Sequence, residues 1–460
     1  SRMAEVLNRV IEKAIRGSAP AQINVPRDYW TQVIDIDLPP IVRLERQGGG
    51  VDAISKAAEL LSNAKFPVIL SGAGVVIGGA IEETKKIAEK LDSPVCSGYQ
   101  HNDSFPGSHP LAVGPLGYNG SKAAMELISK ADVVLALGTR LNPFSTLPGY
   151  GIDYWPKKAS IIQVDINPDR IGLTKKVTVG ISGDAKLVAQ QILEKLSSNA
   201  GDTDRQKRKD LIHQTKSAWL QKLSSLDHED DDEGTVWNKE ARERDADRMS
   251  PRQAWRAIQA GMPEDVIISS DIGNNCAIGN AYPTFEKPRK YLAPGLFGPC
   301  GYGFPSILGA KIGCPDTPVI GFAGDGAFGI SMNEMSSCAR EDWPAITMVI
   351  FRNYQWGAEK RNTTLWFDNN FVGTELDPEL SYAKVADACG LKGVTVKTME
   401  ETTAAIKQSC EDQKKGITTF IEIILNQELG EPFRRDAMKK PVRIAGIDKK
   451  DMRPQKSLNG

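Results

Sequence analysis

Two polar residues stand at the ends of two apolar runs that have the length of neighbouring strands in a parallel sheet. Asp325 follows the run Pro318 to Ala323, and Asn353 follows the run Ile346 to Phe351. A right-handed crossover would bring both carboxyl ends to the same sheet edge, where ligands of open α/β sheets bind. Mg²⁺ prefers oxygen ligands and usually combines one or two protein side chains with phosphate oxygens. The pattern therefore predicts a metal site built from a carboxylate, an amide oxygen and a backbone carbonyl.

The glycines beside Asp325 indicate that a phosphate group is the partner of this metal. Gly324 and Gly326 would let the backbone approach a phosphate closely. A helix predicted to start near Ser331 would direct its N-terminal N–H groups at the anion. Gly-Asp-Gly alone is also an ordinary turn sequence. Asn353 at the end of the next strand is what favours a metal-bridged diphosphate site.

This spacing resembles the signature of the acetolactate synthase and pyruvate decarboxylase superfamily, whose members use thiamine diphosphate (ThDP). The signature is a GDG followed nearly thirty residues later by an Asn pair. The resemblance implies that ThDP and Mg²⁺ are the cofactors, that Asp325 and Asn353 are the side-chain metal ligands, and that Gln355 supplies a backbone carbonyl. The first Asn of the pair is Arg352 here, which places a cation at the edge of the site.

Two further stretches resemble cofactor-binding loops of the same superfamily. SSDIGNN, from Ser269 to Asn275, resembles the first diphosphate loop, and APGLFGPCGYGFPSILGAKIG, from Ala293 to Gly313, resembles the loop and helix that support the aminopyrimidine. In that match the Gly298 carbonyl accepts a hydrogen bond from the pyrimidine amino group. Cys300 occupies the apolar position that bends the cofactor, although a plain buried cysteine is the alternative. The predicted cofactor-binding residues are Gly273, Asn274, Asn275, Gly298, Cys300, Gly324, Gly326 and Ala327.

Helices alternate with short apolar strands on both sides of a polar segment, which predicts an α/β fold with two parallel-sheet domains. The segment APAQINVPRDYW, Ala19 to Trp30, resembles the closing strand of a pyrimidine-binding domain. We therefore predict the C-terminal end of a pyrimidine-binding domain at residues 1–40, a Rossmann-like middle domain at 41–196, a linker at 197–249, a pyrophosphate-binding domain at 250–427 and a C-terminal tail at 428–460.

The composition narrows the class of protein. The chain has 460 residues, a formal net charge of -1, and no basic excess that would favour nucleic acid as a partner. No apolar run reaches the roughly 18 residues of a membrane span. Seven cysteines occur singly, which argues against a disulfide framework or a zinc site and favours the cytoplasm. The acidic run Asp227 to Glu233 is expected to be a solvated surface rather than a metal site.

The first residues lack a signal-peptide pattern and an initiator Met, so we expect a chain that begins inside a domain. The superfamily glutamate that protonates the aminopyrimidine ring would then lie before Ser1. No catalytic residue is named for that role within the chain.

The middle domain contains a weak nucleotide-binding pattern. Gly72, Gly74 and Gly78 are spaced G-x-G-x-x-x-G, and Asp165 ends a predicted strand where it could bind a ribose. A structural role is favoured over a nucleotide site, because superfamily members keep this fold with or without FAD. His101 and His109 lie in the turn-rich loop HNDSFPGSHP, and a plain surface position is enough to account for them.

At finer grain, the stretches NPFSTLPGYGIDYWP, FRNYQWGAEKRNTTLWFDNNFVGTEL and NQELGEPFRRDAMKKP look like those of sulfoacetaldehyde acetyltransferases. The resemblance implies conversion of sulfoacetaldehyde and phosphate to acetyl phosphate and sulfite, as in taurine degradation, by a homodimer or homotetramer. Cations for these anions would come from Arg352, Lys360, Arg361, Arg434 and Arg435. The alternatives are a carboligase of the acetolactate synthase type that uses FAD, and an inactive fragment that only binds ThDP.

Overall fold

The fold contains two six-stranded parallel sheets. The computed structural model describes residues 2–17, 19–36, 38, 45–225, 243–295, 297–340, 342–366 and 370–428. Both sheets are buried on both faces by helices, which explains why their strands are continuous apolar runs. This confirms the predicted α/β fold with two parallel-sheet units.

The first sheet has the strand order β3-β2-β1-β4-β5-β6, with parallel pairing throughout. Its strands are β1 (Pro67–Ser71), β2 (Val95–Ser97), β3 (Ala112–Pro115), β4 (Val133–Leu137), β5 (Ser160–Asp165) and β6 (Val179–Ser182). The helices up to the end of this unit are α1 (Met3–Gly17), α2 (Val51–Ser62), α3 (Ala73–Gly78), α4 (Ile81–Leu91), α5 (Lys122–Ile128) and α6 (Ala185–Lys195).

The second sheet has the order β11-β12-β10-β9-β7-β8 and is also parallel throughout. Its strands are β7 (Ile267–Ser270), β8 (Tyr291–Leu292), β9 (Val319–Gly324), β10 (Thr347–Arg352), β11 (Lys392–Val396) and β12 (Thr419–Ile424). The remaining helices are α7 (Arg205–Ser225), α8 (Pro251–Gly261), α9 (Asn274–Ile278), α10 (Gly303–Gly313), α11 (Asp325–Ser331), α12 (Met335–Cys338), α13 (Gly357–Trp366), α14 (Tyr382–Ala388) and α15 (Met399–Gln413).

The start of α8 follows from its sequence. The hydroxyl of Ser250 accepts a hydrogen bond from the backbone N–H of Gln253, and the Gln253 side chain accepts one from the Ser250 N–H. Pro251 occupies the first turn, where a missing N–H costs nothing. Ser250 and Pro251 are thus sufficient to place the start of this helix.

The predicted linker contains a long helix that packs on the first unit through its N-terminal half and on the second unit through its C-terminal half. The buried residues of α7 include Arg208, Ile212, Trp219 and Leu223, which lie on one helical face. The first half of the predicted linker at 197–249 is therefore helical, and the linker assignment itself stays a prediction. The helix was missed because charged residues outnumber apolar ones along it. The acidic run Asp227 to Glu233 lies outside the described residues.

The strand expected at Ala19 to Trp30 is not found in the described residues. The segment is irregular up to a single 3₁₀ turn at Arg27–Thr31, and it joins neither sheet. Strand geometry requires a pairing partner, and no described strand lies beside this segment. The exact boundaries of the predicted domains stay a prediction.

Buried polar contacts join the two units. The Asn102 amide donates to the carbonyls of Asn280 and Pro283 at 2.9 and 2.8 Å, and the Gln100 N–H donates to the Asn280 side chain at 3.1 Å. Asp103 accepts from the Lys290 N–H at 3.0 Å. These contacts hold the two sheets in one arrangement. Within the described residues, no helix is long and apolar enough to cross a bilayer.

Candidate cofactor site

The pairing of β9 with β10 brings Asp325 and Arg352 together. Phe351 lies opposite Gly324 in the register, so the next residue of each strand leaves the sheet at the same edge. Helix α11 begins directly at Asp325, and the prediction of a start near Ser331 is wrong by about two turns. The reason is that Gly324 acts as the N-cap in an extended conformation, with Asp325 as the acidic residue of the first turn.

One cleft collects the predicted metal and diphosphate residues. It lies at the carboxyl edge of the second sheet, where the loops after β7, β9 and β10 meet. Its lining residues are Ile272, Gly273, Asn274, Asn275, Cys300, Gly324, Asp325, Gly326, Ala327, Asn353, Gln355, Trp356, Gly357, Ala358 and Glu359. Asp325 and Asn353, which are distant along the chain, therefore face a common space. Gly298 is not part of this lining and lies beside Ile272.

The Asp325 carboxylate is held in one orientation by three donors. Its Oδ2 accepts from the Tyr354 N–H at 2.7 Å and from Arg352 Nη1 at 3.0 Å, and its Oδ1 accepts from the Gly326 N–H at 3.0 Å. Burial raises the pKa of Asp325 to about 6, while the Arg352 guanidinium opposes that shift. A buried carboxylate that is costly to keep charged is stabilised by a cation placed next to it.

Arg352 does not face the cleft. Its side chain is buried, and besides Asp325 it donates to the carbonyls of Asp377 and Leu380. Its Nε lies 3.7 Å from Glu422 Oε1. The expectation that Arg352 binds substrate anions finds no support in this position, because every contact of the guanidinium is with the protein itself. Sequence alone did not reveal Glu422, which lies on β12.

Several buried amide atoms at the cleft lack a hydrogen-bond partner among the described residues. They are Asn274 Oδ1, Asn275 Oδ1, Asn353 Nδ2 and Gln355 Oε1. Unpaired buried polar atoms are costly and therefore rare, so these atoms fit a site that a polar group completes. No Lys or Arg is present among the described lining residues. A diphosphate here would accordingly need a metal ion to balance its charge, which the donor set of carboxylate, amide and carbonyl oxygens suits.

Two glycines leave space in the cleft. A Cβ at Gly273 or Gly324 would meet no atom within 4 Å, and Gly273 has φ +133°, a conformation that other residues rarely adopt. A phosphate could approach both backbones. Gly326 is different, because a Cβ there would lie 2.8 Å from the Trp356 ring. Gly326 also lines the cleft, so its expected role in phosphate approach stays a prediction, and its lack of a Cβ makes room for Trp356.

Asp271 is a site residue that the motif comparison overlooked. Its buried carboxylate accepts from the N–H groups of Gly301 and Gly303 at 3.1 and 2.7 Å, which ties the predicted pyrimidine loop to the end of β7. Burial raises its pKa, and these hydrogen bonds oppose the shift. Its place in SSDIGNN directly before the diphosphate loop was the available signal. Trp356, which directly follows Gln355, and Glu359, in the first turn of α13, were also missed.

Of the remaining predicted anion-binding cations, only Lys360 has a described side chain, and it is not among the residues that line the cleft. Lys360 contacts the Glu375 carboxylate and lies 3.4 Å from Gln427 Oε1. The backbone of Arg361 belongs to α13, but its side chain lies outside the described residues, as do Arg434 and Arg435. Cys300 is half-buried, and burial raises the pKa of its thiol.

The glycines of the middle unit pack against the protein. Cβ atoms at Gly72 and Gly74 would lie 2.6 Å and 2.7 Å from the backbone of Gly138, so these positions are glycine to let two loops touch. This favours the structural reading over a nucleotide site. His109 is within 3.2 Å of Glu89 Oε1. His101 is partly buried rather than fully at the surface, and burial lowers its pKa to about 4.

Family models match both sheet units. Residues 54–192 match "Thiamine pyrophosphate enzyme, central domain", and residues 271–423 match "Thiamine pyrophosphate enzyme, C-terminal TPP binding domain". The chain belongs to the thiamine pyrophosphate enzyme family. The cofactor of this thiamine pyrophosphate enzyme is therefore ThDP, and the cleft lies within its TPP binding domain. The described residues contain no cluster of three or more His, Cys, Asp or Glu suited to a metal. The predicted Mg²⁺ site does not require one, because Asp325 is its only carboxylate ligand and the other ligands are an amide oxygen and a backbone carbonyl.

Several proteins that are similar to this thiamine pyrophosphate enzyme are named for an enzymatic activity. A Rhizobium meliloti protein named "Probable sulfoacetaldehyde acetyltransferase" is 78% identical over 458 residues, which is 100% of this chain and 78% of that protein. The "Sulfoacetaldehyde acetyltransferase" of Roseovarius nubinhibens is 72% identical over 99% of this chain and 76% of its own length. A "Probable acetolactate synthase large subunit" of Methanococcus aeolicus is 30% identical over 88% of the chain and 67% of its own length.

A solved structure has the same fold. The benzoylformate decarboxylase from Polynucleobacter necessarius superposes with a TM-score of 0.66 at 18% identity, covering 88% of this thiamine pyrophosphate enzyme and 70% of that chain. At this identity the likeness concerns the fold alone.

Proposed function

We propose that this protein is a ThDP- and Mg²⁺-dependent acetyltransferase that converts sulfoacetaldehyde and phosphate to acetyl phosphate and sulfite. The observation that carries the proposal is the 78% identity, over 458 residues and 100% of this chain, to a protein named "Probable sulfoacetaldehyde acetyltransferase". The acetolactate synthase relative is far less similar, at 30% identity.

The cleft residues have separate roles in this proposal. The side chains of Asp325 and Asn353 and the backbone carbonyl of Gln355 would hold the Mg²⁺ ion. The diphosphate would lie against Gly273, Asn274, Asn275, Gly324 and Ala327, which line the same cleft. The pyrimidine would be held by the Gly298 carbonyl and Cys300. When bound, ThDP supplies a carbanion that attacks carbonyl carbon, which no protein side chain provides.

The proposed reaction balances without a further reagent. The carbon–sulfur bond of sulfoacetaldehyde breaks and sulfite leaves with the bonding electrons. The methylene carbon becomes a methyl group, the aldehyde carbon becomes an acyl carbon, and a phosphate oxygen forms the new bond to it. No external oxidant is needed, because one carbon is reduced while its neighbour is oxidised. The protein must therefore bind two anions and exclude water, which would otherwise accept the acetyl group.

Lys360, Arg361, Arg434 and Arg435 stay the candidates for binding the sulfonate and the phosphate. Lys360 is located on α13, the helix that starts at the cleft residue Gly357. Its side chain is 13% exposed and contacts the more exposed carboxylate of Glu375, so a substrate anion would have to take the place of Glu375. These basic residues would bind the two small anionic substrates, sulfoacetaldehyde and phosphate.

We further propose that the protein acts as a homodimer or homotetramer. Helix α1 exposes Val6, Leu7, Ile11 and Ile15 along one side, and Trp30 is 74% exposed close by in the chain. An exposed apolar surface of this kind is typical of a protein interface. The molar mass of the purified protein, measured by light scattering, would be that of the monomer if this proposal were wrong.

The activity is tested by measuring sulfite released from sulfoacetaldehyde by the full-length protein. Sulfite and acetyl phosphate should appear in equal amounts, and only when phosphate, ThDP and Mg²⁺ are all present. Arsenate in place of phosphate should support sulfite release without a stable acyl product.

Three other outcomes have distinct meanings. Absence of sulfite together with normal ThDP binding would refute the substrate assignment and leave the cofactor site intact. Acetolactate formed from pyruvate by a yellow, flavin-containing protein would establish the carboligase alternative. Binding of ThDP without turnover of any of these substrates would support the fragment that only binds.

A further inference from the structure

Arg352 is a buried residue that contacts the predicted metal ligand Asp325. Arg352 is among the largest fully buried side chains of the protein, and its contacts are Asp325, two backbone carbonyls and Glu422. A buried arginine is costly unless it is paired; here the two Nη atoms donate hydrogen bonds, whereas Nε makes none within the described residues and faces the Glu422 carboxylate as an ion pair. We infer that Arg352 is a positioning residue, anchored by Glu422, that fixes the Asp325 carboxylate for the metal ion. This inference rests on the proposed cofactor site but not on the proposed substrate.

The geometry of the guanidinium suits this role. Nη1 donates to Asp325 Oδ2 at 3.0 Å, and Nη2 donates to the carbonyls of Asp377 and Leu380, the latter at 2.9 Å. The planar fork of arginine holds these directions rigidly, whereas a lysine ammonium on a flexible stem does not. Arg352 therefore connects the end of β10 to the loop before α14 and to the metal ligand at once.

Glu422 fixes the other side of the arginine. Its Oε1 lies 3.7 Å from Arg352 Nε, and Glu422 itself accepts hydrogen bonds from Ser381 Oγ at 2.6 Å and from the Tyr382 N–H at 3.2 Å. The Tyr382 hydroxyl in turn donates to the backbone carbonyl of Asp325 at 3.0 Å. The two carboxylates are thus linked through Arg352, while Tyr382 links the Glu422 carboxylate to the backbone of Asp325.

Counting acceptor positions shows what is left for a metal. An ionised carboxylate has about four lone-pair positions, and Asp325 uses three of them for Gly326, Tyr354 and Arg352. One acceptor position of the Asp325 carboxylate is left. A carboxylate that binds a metal ion through a single oxygen needs one such position. The charges lead to the same conclusion. Asp325, Glu422 and Arg352 together carry one net negative charge in a buried cluster, which a cation in the cleft would offset.

The inference predicts that substitutions at Arg352 act on the metal and not on the substrates. Arg352→Lys keeps the charge but loses the fork, so about a tenfold higher Mg²⁺ concentration should be needed for half-maximal ThDP binding. Arg352→Met should require about a hundredfold more. At saturating Mg²⁺ and ThDP, the KM values for phosphate and sulfoacetaldehyde should change by less than about threefold, because Arg352 contacts neither substrate in this assignment.

Calorimetric titration of Mg²⁺ into a mixture of protein and ThDP, without any acceptor substrate, measures the Mg²⁺ requirement for ThDP binding directly. Arg340→Lys is the matched control, because Arg340 is exposed and pairs with Asp342 at the surface. Glu422→Gln carries the test if Arg352→Met fails to fold, and it should raise the Mg²⁺ requirement about threefold. Thermal unfolding of each variant without cofactor identifies a folding failure.

Two results would overturn the inference. The first is an unchanged Mg²⁺ requirement in both Arg352→Lys and Glu422→Gln. The second is a large rise in the KM for phosphate or sulfoacetaldehyde with unaltered Mg²⁺ binding, which would make Arg352 an anion-binding residue as first expected. A wild-type protein that binds ThDP with Mg²⁺ but releases no sulfite would instead refute the proposed substrate and leave the role of Arg352 open to this same titration.

Discussion

The indole of Trp356 lies against Gly326 so closely that a Cβ at Gly326 would be 2.8 Å from the ring. Gly324, two residues earlier, has open space at the same position. The two glycines of the Gly-Asp-Gly turn are therefore glycine for different reasons. One makes room for a side chain of the protein, and the other leaves room in the cleft.

Alanine substitution should separate these two roles. Gly326→Ala forces the Trp356 ring to move, so the free energy of unfolding should fall by about 1–3 kcal/mol. Gly324→Ala has a suitable backbone conformation, with φ -67°, and its methyl group would point into the cleft. It should lower the unfolding free energy by no more than about 1 kcal/mol and weaken ThDP binding at least about tenfold, as seen by urea unfolding and by calorimetry.

Gly309→Ala is the control for both variants. Gly309 is an exposed position inside α10 with open space around it, so alanine should raise the unfolding free energy by about 0.5–1 kcal/mol. Normal ThDP binding by Gly324→Ala would show that the diphosphate does not lie there.

Loss of the carboxylate at Asp325 should abolish metal-dependent cofactor binding. Asp325→Asn keeps the size of the side chain and an acceptor for Tyr354 but removes the charged oxygen, so the Mg²⁺ requirement for ThDP binding should rise by about a hundredfold or more. Because burial raises the pKa of Asp325, the uncharged variant should fold well. Asp316→Asn, an exposed change on the same domain, should bind the cofactor as the wild type does. Equal Mg²⁺ requirements in the two variants would refute the metal ligand assignment.

Stability should fall on acidification through His101. Burial lowers the pKa of His101 to about 4 in the folded protein, whereas an unfolded histidine titrates near about 6.5. The unfolded chain therefore binds the extra proton first, and the stabilisation present above about pH 6.5 is lost as the pH falls towards 4. At pH 5 the loss should be about 1–2 kcal/mol, allowing for the partial exposure of the ring.

His101→Gln should remove this part of the pH dependence, measured as the difference in urea unfolding free energy between pH 7.5 and pH 5. Taking the difference from the wild type cancels the titration of other groups, including Asp325. His213→Gln changes an exposed histidine on α7 and serves as the control. Identical pH profiles for His101→Gln and the wild type would contradict the prediction.

Arg208 should be essential for the attachment of α7. Its buried guanidinium donates to five backbone carbonyls at 2.5–3.0 Å, those of Lys65, Leu91, Asp92, Gly201 and Thr203. Arg208→Met leaves these carbonyls without donors, so the free energy of unfolding should fall by about 2–4 kcal/mol. Lys207→Met, at a neighbouring exposed residue, should change it by less than about 0.5 kcal/mol. Equal unfolding midpoints for the two variants would show that the contacts of Arg208 are not needed for stability.

The sequence by itself determined the two parallel sheets and the meeting of Asp325 with Asn353. Both follow from local rules, because apolar runs separated by helices form parallel sheets and the ends of adjacent parallel strands share an edge. The start of α8 at Ser250 was likewise readable, since capping depends only on residues within one turn. The cofactor followed from motif resemblance, and the family matches agree with it.

Only the tertiary structure decided what Arg352 contacts. Its partners Asp377, Leu380 and Glu422 come from a loop and a strand that are distant along the chain, and no spacing rule links them. The same reason explains Trp356 beside Gly326, and Arg208 on a helix that looked like a polar linker. Local sequence sets the direction in which a chain leaves its strand, whereas burial and pairing of a side chain depend on which distant segments are packed against it.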